Sequence, residues 1–189
     1  MWLDRVRRGD GDRLYITWRH FSLEQVSSNE GPDWKVWEQP DPAGTRSLLA
    51  QISLEAAGRQ GKDALDRYYL ALLTARHGGQ GRIPLNQAGP LLDLARDEGL
   101  DVERLRRDMD EPSMAAVIGR DHTEAVENHG VFGTPTFVFE DGGAAYLKTF
   151  IPPEEDSAAF FEHFVAMVSN SSYFGELKRP QPPWPRGAV

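Results

Sequence analysis

The hydrophobic pattern of the chain has a helical period over a long central stretch and an alternating one on either side of it. From Thr45 to about His129, apolar residues recur every three or four positions, which predicts a series of consecutive helices. We expect Asp101 and Ser113 to cap the last two. The predicted helix ends lie at Gly58 or Gly61, His77 with Gly78, just before Pro112, and Gly130.

The segments outside this helical stretch predict a small sheet and two further helices. Residues 14–21 are rich in β-favouring side chains and predict a first strand, and residues 134–150 predict a hairpin with a turn at 141–143. A helix opens the chain, and an amphipathic helix follows Pro153. Helices combined with a small sheet indicate the α/β class. The buried stripe of the last helix is predicted to be Phe160, Phe161, Phe164, Val165 and Val168.

Composition narrows the function without identifying it. The 189 residues are 40% hydrophobic and 26% charged, as in an ordinary soluble globular protein. A formal net charge of −8 argues against binding to nucleic acid or to an anionic membrane surface, because both depend on Lys and Arg. No signal peptide or bilayer-spanning stretch is evident, so we expect a cytoplasmic protein. There is no cysteine, which excludes a disulfide, a thiolate nucleophile or a Cys-ligated metal within these residues.

The stretch GVFGTPTFVFEDG, residues 130–142, carries the most specific local signal. A Thr-Pro pair leads directly into an apolar strand. One interpretation is an ordinary turn at the start of a strand, where proline is common. The other interpretation depends on a family resemblance.

The order of elements resembles that of the DsbA-like thioredoxin-fold family. WRHFSLEQVSSNEG, starting at Trp18, and DHTEAVENHGVFGTPTFVFEDG, starting at Asp121, are the stretches that carry the similarity. Relatives of this family include 2-hydroxychromene-2-carboxylate isomerases and kappa-class glutathione transferases. The resemblance implies a thioredoxin-like fold with a helical domain inserted between the second core strand and the C-terminal β-hairpin. The implied domains are residues 1–40 with 130–175 for the core, 45–129 for the inserted helical domain, and 176–189 for a proline-rich tail.

The same resemblance implies a binding site at the Thr-Pro turn. It implies a cis bond before Pro135, so that the Thr134 peptide faces outward and can bond an extended peptide or glutathione, while Gly133 permits the tight approach. His20, at the end of the predicted strand, is a weaker candidate near that site; the alternative is a strand-edge histidine facing solvent.

Aromatic and histidine side chains elsewhere allow two interpretations each. Phe21 and Trp34 could line an apolar pocket together with His20, or could simply be core and loop-anchoring aromatics. His122 and His129 lie seven positions apart, a spacing that could bring metal ligands together. We interpret them as solvated polar residues instead and predict no metal site.

One departure from the family pattern concerns the catalytic segment. In the family, a first strand delivers a Cys-Pro-x-Cys or related motif to the first helix, whereas MWLDRVRRG resembles only the remainder of that helix. We therefore expect an N-terminally truncated chain whose first strand is missing, and no catalytic residue can be named.

The resemblance implies a thiol-disulfide oxidoreductase given without its cysteine segment. Alternatives are a glutathione-dependent transferase or isomerase of the kappa type, and a redox-inactive thioredoxin-fold binding module. The expected partner is a protein disulfide or a small-molecule thiol such as glutathione. We expect no bound cofactor, and the oligomeric state is left open.

Overall fold

A computed structural model describes residues 1–10, 14–79, 81–169 and 173–177, so most of the predicted proline-rich tail lies outside the described residues. The described chain is mostly helical with one small antiparallel sheet, in keeping with the α/β class. Contacts divide it into two compact units: the hairpin unit, Met1–Thr17 with Gly133–Val189, and the helical unit, Trp18–Phe132. Within the described ranges, no helix combines the length and the apolar character needed to cross a membrane.

The described elements follow one another in the order helices, hairpin, helix. Two short 3-10 turns, Val36–Glu38 and Pro42–Gly44, lie between the second and third helices. The helices and strands are α1 (Trp2–Asp10), α2 (Leu23–Val26), α3 (Leu48–Gly58), α4 (Lys62–His77), α5 (Ala88–Asp97), α6 (Val102–Met109), α7 (Pro112–His129), β1 (Thr136–Val138), β2 (Ala144–Tyr146) and α8 (Ser157–Val168).

The helix ends lie largely where the sequence predicts them. Helix α7 stops at Gly130, whose φ of +62° is left-handed and favours glycine. Asp101 caps α6, because its Oδ1 accepts a hydrogen bond from the N–H of Arg104 at 2.9 Å. The predicted Ser113 cap is wrong. Helix α7 instead begins at Pro112, whose fixed φ suits a first helical position, and the Ser113 hydroxyl donates to the carboxylate of Glu111.

The core of the helical unit forms around α3, which contacts α4, α5, α6 and α7. Leu48, Ile52 and Ala56 are buried on one face of α3 and Ala50 and Leu54 on the opposite side, as expected for an enclosed helix. The hydroxyl of Tyr68 lies 3.0 Å from Ser53 Oγ and donates to the Leu91 carbonyl. Burial raises the pKa of Tyr68 to about 12, so the phenol stays neutral in this core.

Residues 14–22 do not form the predicted strand. A strand needs a ladder partner, and no described segment pairs with this one. Side chains hold the segment instead: the Trp18 indole donates to Asp66 Oδ1 at 2.8 Å, and Asp121 Oδ2 accepts from the His20 N–H at 3.1 Å. By their contacts, residues 18–40 belong to the helical unit, and Val36 is fully buried in the core of that unit.

The hairpin unit confirms the two predicted strands after Gly130. β1 pairs antiparallel with β2, with Phe137 opposite Ala145, and the turn closes through a hydrogen bond from the Phe139 N–H to the Gly143 carbonyl. One face of the hairpin packs on α1 and α8 through Trp2, whose indole donates to the Ser157 carbonyl at 3.1 Å.

One member of the predicted stripe on α8 is misplaced. Phe160 is 36% exposed although its ring centroid lies 5.1 Å from that of Trp2, whereas Phe164 is 4% exposed at the centre of the cluster. Phe161, Val165 and Val168 are partly buried around Phe164. The stripe therefore lies on the side of α8 that faces the hairpin, and Phe160 forms its margin.

Gly119 of α7 is predicted to tolerate no side chain. A Cβ there would lie 2.6 Å from Cδ1 and Nε1 of Trp37, so Gly119→Ala should lower the free energy of unfolding by about 1–3 kcal/mol through overpacking. Gly58→Ala is the control, because its Cβ would meet Leu65 at an ordinary 3.7 Å. Urea unfolding of both variants checks this; equal effects would contradict the close approach of Trp37.

Candidate functional site

The loop that precedes β1 brings together the three residues predicted to bind substrate. Gly133 is buried, and a Cβ on it would lie 3.2 Å from the ring of Tyr146. The peptide bond between Thr134 and Pro135 is cis. Thr136 donates its hydroxyl to the Gly133 carbonyl at 2.7 Å, which closes the loop from within.

The backbone of this loop presents hydrogen-bonding groups to solvent. Thr134 and Pro135 are both exposed, and Thr134 makes no hydrogen bond to any other described residue. The Pro135 carbonyl accepts a hydrogen bond from the Leu147 N–H at 3.2 Å. This bond joins the end of the loop to the residue that follows β2. Among the described residues, β1 pairs on one edge only. An extended ligand could therefore bond to the Thr134 peptide as an added strand would.

The structure places His20, Phe21 and Trp34 in the helical unit. The His20 ring is largely buried, and its Nε2 lies 3.2 Å from Glu55 Oε2 on α3. The Phe21 ring packs on the His122 ring, with 4.6 Å between their centroids. Trp34 is partly buried against the core of the helices. His20 and Phe21 thus form one cluster with Glu55, Asp121 and His122. Trp34 lies against the hydrophobic core of the helical unit.

Two buried polar residues of α7 position this cluster. Asp121 is 4% exposed, and its carboxylate accepts from the His20 N–H and from Arg19 Nη1 at 3.2 Å. His122 is 6% exposed, and its Nδ1 accepts from the Ser22 N–H at 3.2 Å. The backbone N–H groups of His20 and Ser22 thereby gain the partners that a sheet would otherwise supply.

Electrostatics fix the protonation states of two of these groups. The hydrogen bond with His20 is the main cause that lowers the pKa of Glu55, with a smaller contribution from the guanidinium of Arg120, so Glu55 is a carboxylate. Burial, followed by the positive charge of Lys35, lowers the pKa of His122. A neutral His122 has Nδ1 free to accept the Ser22 N–H, so its proton resides on Nε2.

The prediction that His122 is a solvated polar residue is wrong, because its ring is buried, and the roles of Asp121 and Glu55 were not predicted. A signal was available for two of them, because Asp121 and His122 follow Met114 and Ile118 at helical spacing on what proves to be the buried face of α7. Polar residues on a buried stripe need partners. The part of the chain that the structure describes holds no group of three or more potential His, Asp or Glu metal ligands.

Comparison with known families identifies the class of the protein. Residues 2–164 match the profile of the DSBA-like thioredoxin domain, and the chain belongs to that family. The match covers both the helical unit and the loop with its hairpin. No curated protein matches the chain.

The pKa of His122 predicts a pH dependence of stability. An unfolded histidine takes up its proton near pH 6.5, whereas the lowered pKa means that folded His122 does so only at lower pH. The stabilisation that neutral His122 gives the folded chain is therefore complete above about pH 6.5, and it is lost as the pH falls through the folded pKa. The variant His122→Asn keeps a hydrogen-bond acceptor that does not titrate. Between about pH 7.5 and pH 5, its free energy of unfolding should therefore fall less than that of the wild type.

Urea unfolding of the variant and the wild type at several pH values measures this difference. His77, whose pKa is also lowered, is present in both proteins and cancels. Identical pH profiles would show that His122 does not titrate differently in the folded chain.

Proposed function

We propose that this chain forms the substrate-binding part of a DsbA-like thiol-disulfide oxidoreductase, with its helices corresponding to the domain that this class inserts before the hairpin. Membership of the DSBA-like thioredoxin family is the observation that carries the proposal. The chain has no cysteine, so its own side chains supply no thiolate. The role assigned to these residues is therefore recognition of the substrate rather than attack on it.

The loop at Gly133–Thr136 is the proposed recognition element. The Thr134 peptide is exposed, and its N–H and C=O make no hydrogen bond within the described chain. A disulfide-containing peptide in an extended conformation presents the complementary groups, as does glutathione disulfide. Recognition through the backbone would allow the loop to accept substrates of different sequence, since these hydrogen bonds do not depend on the substrate's side chains.

A second function, a redox-inactive binding module, is favoured by the absence of cysteine. It uses the same loop and the same ligand class. A glutathione-dependent transferase of the kappa type would also use this loop, with its catalytic residue supplied from outside these residues. The three functions place a peptide-like ligand on the same loop, and they differ in whether a reaction follows and in which reaction it is.

Binding at the loop is tested with one pair of substitutions. Thr134→Pro removes the backbone N–H donor, whereas Thr134→Ala keeps this donor and removes the hydroxyl and methyl groups. The residue before the new proline is Gly133, which has no side chain to clash with the proline ring. Titration of the labelled wild-type protein with glutathione disulfide should shift the amide signals of Gly133, Thr134 and Thr136. We expect Thr134→Pro to weaken binding about tenfold, the effect of one hydrogen bond, and Thr134→Ala to leave it nearly unchanged. Equal binding by both variants would contradict the proposal.

The chemistry is tested on the protein purified from its own organism. Intact mass and N-terminal peptides establish the natural chain, and an assay of dithiol oxidation establishes its activity. Activity in a protein larger than these 189 residues supports the oxidoreductase. An inactive protein that still binds glutathione disulfide through the Thr134 loop supports the binding module.

A further inference from the structure

The helical unit carries a second candidate binding site on the surface of α7. A groove of about 600 Å³ runs along this helix, with Trp37 and Glu38 of the 3-10 turn also in its wall. The α7 residues that line it recur every three or four positions: Pro112, Ala116, Gly119, Arg120, Thr123, Glu124, Glu127 and Asn128. They form one face of the helix over four turns. A volume of this size accommodates a small molecule.

The groove exists because two residues approach closely. Gly119 has no side chain, which lets the Trp37 ring lie against the helix, and that ring also packs on the His122 ring with 5.2 Å between centroids. Among the described residues, the Trp37 indole N–H has no hydrogen-bond partner. The groove therefore has an aromatic wall that packs against the helix at Gly119.

Charges of both signs line the groove without neutralising one another. Glu38, Glu124 and Glu127 are exposed carboxylates, and Arg120 is an exposed guanidinium. In the described chain, none of the four forms an ion pair. Along the helix axis, Glu124 and Glu127 lie about 6 Å and about 10 Å beyond Arg120, so these two carboxylates extend the groove away from the guanidinium, whereas Glu38 lines it next to Trp37.

We propose that this groove binds a small basic amino acid or a close derivative, with its carboxylate on Arg120 and its cationic side chain between Trp37 and the carboxylates of Glu124 and Glu127. A guanidinium pairs with a carboxylate through two parallel hydrogen bonds. A cationic group is attracted both by the face of tryptophan and by carboxylates. Because carboxylates outnumber the guanidinium, the ligand carries more positive than negative groups. This site is independent of the function proposed for the Thr134 loop.

Three nearly isosteric probes separate the two charge contacts. Arginine has both groups, agmatine lacks the carboxylate, and citrulline lacks the cation. In titrations of the labelled full chain, arginine should shift the Trp37 indole signal and the amides of residues 116–128, with a dissociation constant on the order of 1 mM for such an open site. Citrulline, which lacks the cation, should bind at least about tenfold more weakly. Agmatine should also bind more weakly, because it lacks the group that pairs with Arg120, but by less than citrulline since its net positive charge is higher. Equal binding of all three would overturn the proposal.

Substitutions assign each contact to its residue. Arg120→Gln should remove the preference for arginine over agmatine, and Glu124→Gln with Glu127→Gln should remove the preference for arginine over citrulline. The charge-matched controls are Arg107→Gln, and Glu103→Gln with Asp110→Asn, all exposed and outside the groove. Controls that weaken binding as much as the groove variants would show a general charge effect and overturn the site. A failure here leaves binding of glutathione disulfide at the Thr134 loop unaffected.

Discussion

The arrangement of the helical unit around residues 19–22 depends on two polar side chains buried on α7. Asp121 and His122 accept hydrogen bonds from the backbone of His20 and Ser22, which has no strand partner in the described chain. A buried N–H without a partner costs about 1–3 kcal/mol. These two acceptors thus allow an extended segment to lie against helices without a sheet, and they set the position of the His20 ring beside Glu55.

The same stretch of α7 organises two surfaces of different character. On its buried side, polar groups satisfy a backbone segment. On its exposed side, Arg120 lines a groove, and Gly119 allows Trp37, which also lines this groove, to pack directly on the helix. The Trp37 ring also packs at a tilt against the His122 ring, and His122 accepts the hydrogen bond from Ser22, so the aromatic wall of the groove and the anchoring of Ser22 both depend on His122. A change in α7 at this point should therefore affect both surfaces.

The recognition proposed for the hairpin unit uses backbone groups rather than side chains. Its core of Trp2, Phe137 and Phe164 fixes the hairpin on two helices, and the loop before β1 leaves the Thr134 peptide unbonded to the rest of the described chain. This arrangement, within a chain of the DSBA-like thioredoxin family, is the basis on which we propose that the loop binds extended, disulfide-containing ligands. With no cysteine in the sequence, binding is the part of the proposed function that these residues can perform themselves.

The sequence by itself determined the features that depend on local chemistry. Gly130 ends α7 because its backbone is left-handed, Asp101 caps α6 through its own neighbours, and the alternating residues around 141–143 make a hairpin. The resemblance carried by Gly-Thr-Pro-Thr also identified the family. These signals lie within a few residues of one another, so no tertiary information is needed to interpret them.

Only the tertiary structure decided the features that require distant partners. Residues 14–21 have strand-like composition but pair with no described strand, so side chains 48 and 101 positions away hold them instead. The pairing of His20 with Glu55, the acceptor role of His122 and the groove beside Trp37 likewise join residues far apart in sequence. Composition indicates what a residue can bond to, but which donor it meets is set by packing.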